Sequence, residues 1–301
     1  MPAENAWPKL LVDEWTDTRD TLHMWTQIVG KVRMELTPLV NHWWNVPLYV
    51  STRGLTTSLI PYGRRSFAMT FDFVDHLLVI DTDDPDRRTV PLAPKSVAQF
   101  YEETMAALAE LGIEVRILAR PVEVEVAIPF AEDDVHASYD PDAAHRFWRL
   151  LVQADRVFNV FRARYVGKVS PVHVFWGALD LACTRFSGRP APTHPGGAPN
   201  CADWVMEEAY SQEVSSAGWF AGGSVEGSFY AYAYPEPPGF ADYDVAPADA
   251  GYDLKLREFL LPYDVVRRAH NPDAVLLAFL QSTYEAAAVL GHWERAALER
   301  P

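Results

Sequence analysis

The chain has 301 residues, of which 49% are hydrophobic and 13% aromatic. This composition predicts a globular protein of one large or two average domains, with enough apolar side chains for a sizeable core. The formal net charge is −15, from 26 Lys and Arg against 41 Asp and Glu. Nucleic acid and anionic membranes bind cationic surfaces, so this charge argues against both as partners.

Two cysteines, Cys183 and Cys201, give neither a disulfide framework nor zinc-ligand spacing, and we expect no metal and no cofactor. Residues 1–22 contain no basic segment followed by an apolar one, so no signal peptide is expected. The most apolar stretch, residues 274–290, includes Glu285 and predicts a core helix instead of a membrane span. A reduced, cytoplasmic protein follows from these features.

The first part of the chain predicts a helix, a set of strands and a second helix. Leu22, Trp25 and Val32 recur at helical spacing within residues 18–36, and Thr37-Pro38 ends that helix. Ser96 and Gln99 form a capping box that opens the second helix, which ends at Gly112. Strands are predicted over residues 48–53, 56–60, 66–73, 77–81 and 89–92, and a half-exposed strand is predicted over 122–128.

The second part repeats this order. Asp140-Pro141 and Asn271-Pro272 predict the starts of two helices, at residues 140–166 and 271–291. Between them we predict one strand over residues 172–186, a mixed segment over 207–220, and strands over 228–234 and 259–261. Two loops rich in Pro and Gly, residues 187–200 and 235–251, separate them, and the sequence assigns them no role.

Short self-matches recur in the same order in both parts. A hydroxyl-Pro pair leads to a His, a Trp and then Thr-Arg, and equal spacings separate Trp44 from Arg53 and Trp176 from Arg185. The last helices of both parts, and the pairs Ser66-Phe67 and Ser228-Phe229, also match. These matches predict an α+β fold of two duplicated helix–antiparallel sheet–helix halves, residues 1–130 and 131–301, packed as one pseudo-twofold unit. Chance similarity among apolar segments is the alternative.

Asp180 is the strongest candidate for a catalytic residue. If the two Trp-to-Arg segments are equivalent strands, Asp180 takes the core position that Leu48 has in the first. A carboxylate in such a place is costly unless it is paired, and it marks either a buried ion pair or a functional site. His173 and His42 are candidate acid–base partners of Asp180, or else hydrogen-bonded core residues.

Arg53 and Arg185 end the two matched segments and are candidates for clamping an anion, or each caps a turn beside an acid. On a straight strand Arg185 and Cys183 would both lie too far from His173 to share a site, about 40 Å for Arg185, unless Gly177 forms a bulge.

Three tyrosines, Tyr230, Tyr232 and Tyr234, share one face of a strand and suit a pocket wall or a surface ladder. Trp44 and Trp176 are further candidates for ligand contacts, and so is Glu213. The chain has no G-x-S-x-G, G-x-G-x-x-G or P-loop motif, which argues against α/β-hydrolases, Rossmann dehydrogenases and P-loop NTPases.

Eight short segments carry a resemblance that covers nearly the whole chain: 41–44, 53–57, 71–76, 170–173, 175–177, 180–181, 184–188 and 208–211. In these segments the chain resembles a bacterial family known only as a domain of unknown function. The resemblance implies a soluble bacterial protein and supplies no reaction, cofactor or catalytic residue.

Together these features predict a small-molecule enzyme with an aromatic-lined pocket between the halves, an Arg anion clamp and an Asp/His acid–base pair. A non-catalytic ligand-binding protein is the first alternative, and it would lack a carboxylate within hydrogen-bond reach of a His. A structural or assembly module is the second, and it would lack a cavity of ligand size. The sequence does not predict the oligomeric state.

Overall fold

The computed structural model describes residues 6–300. Helices and two antiparallel sheets make up these residues, which confirms the α+β class. The first part contains α1 (Val12–Leu36), β1 (Tyr49–Val50), β2 (Gly54–Thr56), β3 (Ile60–Tyr62), β4 (Arg65–Asp72), β5 (Leu77–Thr82), β6 (Arg87–Pro91) and α2 (Val97–Glu110).

The second part begins with α3 (Pro141–Ala163), β7 (His173–Phe175), β8 (Asp180–Pro190) and α4 (Asp203–Ala209). It continues with β9 (Gln212–Phe220), β10 (Ser228–Tyr234), β11 (Gly251–Asp253), β12 (Glu258–Pro262), α5 (Tyr263–Arg268), α6 (Pro272–Leu290) and α7 (Arg295–Leu298).

Side-chain caps start the helices where the sequence predicts them. Ser96 accepts a hydrogen bond from the Gln99 amide at the start of α2, and Asp140 accepts two at the start of α3. Asn271 caps α6 in the same way, with Pro at the first helical position. These caps satisfy amides that have no partner within the helix.

Both sheets run largely in chain order. The first has the order β1-β2-β4-β5-β6 with β3 paired to β4, and the second has the order β11-β12-β10-β9-β8-β7. Their edges meet at Leu48 and Val174, whose backbones exchange two hydrogen bonds of 2.9 and 2.8 Å. Trp44 precedes β1 whereas Trp176 follows β7, so strand order does not place these two residues at matching positions.

The predicted strand over residues 172–186 is instead a hairpin. The chain turns between β7 and β8, with Leu179 in the left-handed region at φ 55°, and His173 lies opposite Ala182. The single straight strand is therefore wrong, and the chain bends at residues 176–179, which include Gly177, the position where the sequence allows a bend. Residues 122–128 form no strand, which corrects a second prediction, and Glu123 there has a φ of 57°.

Helix α1 lies at the centre of the core. Its Trp25 is fully buried and stacks on Phe100 of α2, with ring centroids 4.5 Å apart. Helix α6 is long and apolar enough to cross a membrane by length and composition, and it packs against α3 and the second sheet, as a core helix would. The predicted lack of a signal peptide in residues 1–22 falls partly outside the described residues.

Candidate functional site

A cavity of about 760 Å³ lies against one face of the second sheet. We call it the central pocket. Its floor is β8, β9, β10 and β12, and its walls come from α1, α4 and the segments around residues 42–46, 118–123 and 200–202. The cavity falls within the size range of sites for small organic ligands.

The floor is polar because of strand alternation. Side chains at every second position of a strand share one face. On this face β8 presents Asp180 and Thr184, β9 presents Ser216, and β10 presents Tyr230 and Tyr232. The opposite face carries the large apolar residues that pack on the helices. The predicted tyrosine row therefore faces the pocket at two of its three positions.

Asp180 and Tyr230 form the centre of the floor. The Tyr230 hydroxyl donates a hydrogen bond to Asp180 Oδ2. Gly218 of β9 pairs with Tyr230 of β10 and lies between Tyr230 and Asp180 in the sheet. Because Gly218 has no side chain, the Tyr230 phenol can cross over β9 to reach Asp180. Burial raises the pKa of Asp180 to about 6, although the bond from Tyr230 opposes this shift.

Hydroxyl pairs extend the floor. The Tyr232 and Tyr210 hydroxyls lie 2.8 Å apart, and Thr184 Oγ1 and Ser216 Oγ are also 2.8 Å apart. Tyr210 follows α4, so its bond to Tyr232 connects the wall with the floor. Hydroxyls both donate and accept, and these pairs can reorient towards a ligand.

Two further carboxylates, Glu123 and Glu258, line the central pocket. Burial raises the pKa of each to about 7, and the negative charge of Asp180 adds to both shifts. Glu123 is exposed as a whole residue, but its carboxylate lies over Gly177 within the pocket, where a Cβ on Gly177 would overlap it. Within residues 6–300 no basic side chain offsets these three shifts.

Trp176 forms part of the pocket wall, and two contacts fix the position of its indole ring. Its indole Nε1 donates to the Val46 carbonyl over 2.9 Å, and its ring lies against Gly30 of α1. A Cβ at Gly30 would come within 2.2 Å of the indole, so only glycine fits there. Trp44 lines the same pocket, and so does Lys31 beside Gly30.

His42 lines the pocket, but both of its ring nitrogens have partners. Nδ1 donates to the Ala209 carbonyl over 3.0 Å, and Lys168 donates to Nε2 over 2.6 Å. Burial, together with the positive charge of Lys168, lowers the pKa of His42. The ring is therefore neutral and its lone pair is occupied, so it is not a free base, and it makes no hydrogen bond to Asp180.

His173 lies outside the pocket. It is fully buried in β7, its neighbours include Phe175 and Tyr49, and neither ring nitrogen has a hydrogen-bond partner among residues 6–300. Burial lowers its pKa to about 3, so the ring is neutral. The structure does not bring His173 to Asp180, and the predicted Asp/His pair does not form.

Neither predicted arginine reaches the pocket. Arg53 binds Asp72 and lies 2.6 Å from Asp75 on the surface, as its alternative interpretation proposed. Arg185 is buried behind the sheet, with its guanidinium 3.5 Å from the ring centroid of Phe161. The anion clamp predicted for the pocket is therefore not formed by these residues.

Tyr234 and Glu213 line a separate cavity of about 150 Å³. Glu213 lies 2.7 Å from Arg189, and the Tyr234 hydroxyl donates to the Pro192 carbonyl. Asp180, His42, Trp44, Trp176, Tyr230 and Tyr232 are thus the predicted site residues that share the central pocket.

Sequence reasoning missed Lys31, Glu123, Glu258 and Tyr210. One feature of the sequence indicates that Lys31 is buried: it directly follows Val29 and Gly30, which lie on the buried side of α1. No sequence pattern indicates Glu123 as a site residue, because it lies in a loop whose path the sequence does not predict. Within the described residues no group of three His, Cys, Asp or Glu side chains has the arrangement of a metal site.

A family model described as a family of unknown function (DUF5996) matches residues 7–300. No curated protein and no solved structure matches the chain. Because the match spans nearly all of its residues, the chain belongs to the DUF5996 family.

Proposed function

We propose that this protein binds a small organic molecule in the central pocket. The observation that supports this proposal is a cavity of about 760 Å³ whose walls are mainly aromatic and apolar and whose floor carries a few grouped polar side chains. Ligand sites in proteins combine an apolar lining with a few polar groups that orient the ligand.

The floor suggests which part of the ligand meets it. Asp180, Glu123 and Glu258 accept hydrogen bonds when ionised, and among the described residues 6–300 no basic side chain is paired with them. A ligand with an apolar body and hydrogen-bond donors, such as hydroxyl or amine groups, would satisfy these acceptors. Trp44 and Trp176 would contact the apolar body.

Native mass spectrometry of the purified protein tests the proposal, followed by a thermal-shift screen of small polar aromatic compounds and sugars. Ala182→Phe places a ring on the pocket floor and should abolish binding. Ala109→Phe, on the exposed face of α2, is the matched control and should leave binding unchanged. Equal binding by wild type and Ala182→Phe, or no bound compound in either assay, would contradict the proposal.

A second candidate function is an enzyme that uses Asp180 as its proton-transfer residue. Its support is the pKa of about 6, which suits an acid or base working near neutral pH, together with the bond to Tyr230. Since no His is paired with Asp180, simple ligand binding is favoured over catalysis. Conversion of a recovered ligand by wild type, with loss of turnover in Asp180→Asn, would establish the enzyme, whereas equal turnover would remove Asp180 from any catalytic role.

We also infer that the two parts of the chain arose by duplication of one helix–sheet–helix unit, because each sheet runs largely in chain order and is preceded and followed by a long helix. Superposition of β1-β2-β4-β5-β6 on β7-β8-β9-β10-β12 tests this, and a poor fit of the flanking helices would oppose it.

We propose a cytoplasmic location in bacteria, which cell fractionation tests. A structural or assembly role ranks last, because it requires no ligand-sized cavity.

A further inference from the structure

Lys31 is a buried amine in the wall of the central pocket. Its side chain is 1% exposed and lines the cavity. Within residues 6–300 it makes no hydrogen bond or ion pair, and its Nζ lies 5.7 Å from the ring centroid of Trp176. A buried ammonium without a hydrogen-bonding partner is unfavourable by several kcal/mol.

The other four lysines have ordinary environments. Lys9 and Lys255 are exposed, and Lys95 binds the Glu103 carboxylate. Lys168 donates to His42 and to Gln212, 3.1 Å away. Lys31 is therefore distinguished from every other lysine of the chain by burial, by its lack of a polar partner and by its place in the pocket wall.

Burial lowers the pKa of Lys31 to about 8. About a tenth of Lys31 is therefore the neutral amine at pH 7, whereas an exposed lysine is almost entirely protonated. Neutral lysine amines in apolar pockets attack carbonyl carbons, because the nitrogen lone pair is free and water is excluded.

We propose that the ligand of the central pocket carries an aldehyde or ketone group and that Lys31 forms an imine with its carbonyl carbon. This inference rests on the proposed ligand-binding function. The indole of Trp176, fixed by Gly30 and the Val46 carbonyl, would hold the amine against one side of the ligand. The hydrogen-bond acceptors on the floor would hold the other side.

The reaction is a condensation without oxidation or reduction. The Lys31 ammonium releases one proton, and its nitrogen forms a bond to the carbonyl carbon while the carbonyl π bond moves its electrons to oxygen. A proton transfer from nitrogen to oxygen gives a carbinolamine. A protonated pocket carboxyl, such as Glu123, then donates to the hydroxyl, which leaves as water, and a protonated imine remains.

Sodium borohydride trapping tests the proposal. The folded protein is incubated with benzaldehyde at pH 7 and reduced, which converts an imine to a stable benzylamine, and the product is located by peptide mapping. We expect one benzyl group per chain, on Lys31, formed on the order of 100-fold faster than on exposed lysines because of the larger neutral fraction. Lys31→Met should lose this label, and Lys255→Met should keep it.

Reduction of the protein as purified is the second measurement. A small-molecule adduct on Lys31 would support the inference directly. Benzyl groups spread evenly over Lys9, Lys95 and Lys255, with none on Lys31, would overturn it. A ligand that binds Lys31→Met as tightly as wild type would also overturn it, while leaving the proposed binding function intact. Lys31→Arg, which keeps the charge but forms no imine, controls for loss of charge alone.

Discussion

Gly218 lies beneath the phenol of Tyr230, so close that a Cβ on Gly218 would be 2.4 Å from the Tyr230 hydroxyl oxygen. The same Cβ would meet the Leu181 carbonyl at 1.9 Å. The hydrogen bond between Tyr230 and Asp180 therefore depends on a glycine in the neighbouring strand.

Gly218→Ala should displace Tyr230 and push β9 away from β8. We expect a loss of about 1–3 kcal/mol in the free energy of unfolding, the usual cost of overpacking a well-packed core, and weaker ligand binding. Chemical denaturation measures the first effect. Gly251→Ala is the matched control, because a Cβ at Gly251 meets no atom within 4 Å. Equal stability of the two variants would contradict the proposed close contact.

Asp180→Asn should stabilise the protein in a pH-dependent way. The folded carboxyl has a pKa of about 6 against an ordinary value of 3.8, so the folded state holds its proton more tightly than the unfolded state. As the pH rises from about 4 to 6, wild type loses stability that the Asn variant keeps. The gain should be on the order of 1–3 kcal/mol at pH 8 and should vanish at pH 4. Urea denaturation at both pH values measures it, and a gain independent of pH would refute this account.

His173→Leu should also stabilise the protein, for a different reason. Two buried ring nitrogens without partners carry a desolvation cost, so we expect a gain of about 1–3 kcal/mol at pH 7. The folded pKa of about 3 lies below the ordinary 6.5, so only the unfolded state binds a proton between these values. Wild type therefore weakens as the pH falls below 6.5, by up to about 1.4 kcal/mol per pH unit, and the Leu variant avoids this loss.

The difference between the His173→Leu and wild-type unfolding free energies should accordingly widen from pH 7 to pH 5. Thermal and urea unfolding at these two values check this. His270→Leu is the control, because it makes the same replacement at an exposed position. A difference that narrows at low pH would mean that His173 has a polar partner.

Lys168→Met should raise the pKa of His42. Lys168 donates to Nε2 and its positive charge opposes protonation, so removing it takes away one of the causes that lower the value. Burial, the larger cause, remains, and the pKa should rise only part of the way to 6.5. An NMR titration of the imidazole signals measures the shift, with Lys255→Met as the exposed control. An unchanged His42 titration would show that Lys168 does not contact the ring in solution.

Local patterns predicted the starts of α2, α3 and α6 and part of the site, whereas α1 begins at Val12, six residues before its predicted start. Ser96, Asp140 and Asn271 cap helices as expected, because capping depends on neighbours along the chain. Alternation along β10 places Tyr230 and Tyr232 on one face, which needs only the geometry of a single strand. Asp180 also lines the pocket, but its prediction rests on matching Trp44 with Trp176, which strand order does not place at equivalent positions.

Long-range placement was not predictable. The turn at residues 176–179 lacks the Asn-Gly or Asp-Gly signal of a tight hairpin, so the sequence alone predicts one continuous strand there. Arg185 and His173 have the chemistry of site residues but lie behind or beside the sheet, and only tertiary contacts determine this. In the sequence Lys31 is a single polar residue within a helix, and only the tertiary structure shows that it lines the central pocket.

The backbone pairing of Leu48 with Val174 restricts how a ligand enters the central pocket. The two sheet edges are hydrogen-bonded to each other here, so the second sheet, which forms the floor, and the β1 edge are connected. Helix α4 in the wall is seven residues long and buries none of its residues, but residues 42 and 43 hold it: Trp43 Nε1 donates to the Val205 carbonyl over 2.9 Å, and the His42 amide donates to Glu208 Oε1 over 3.1 Å. Entry of a ligand past α4 would therefore break these hydrogen bonds.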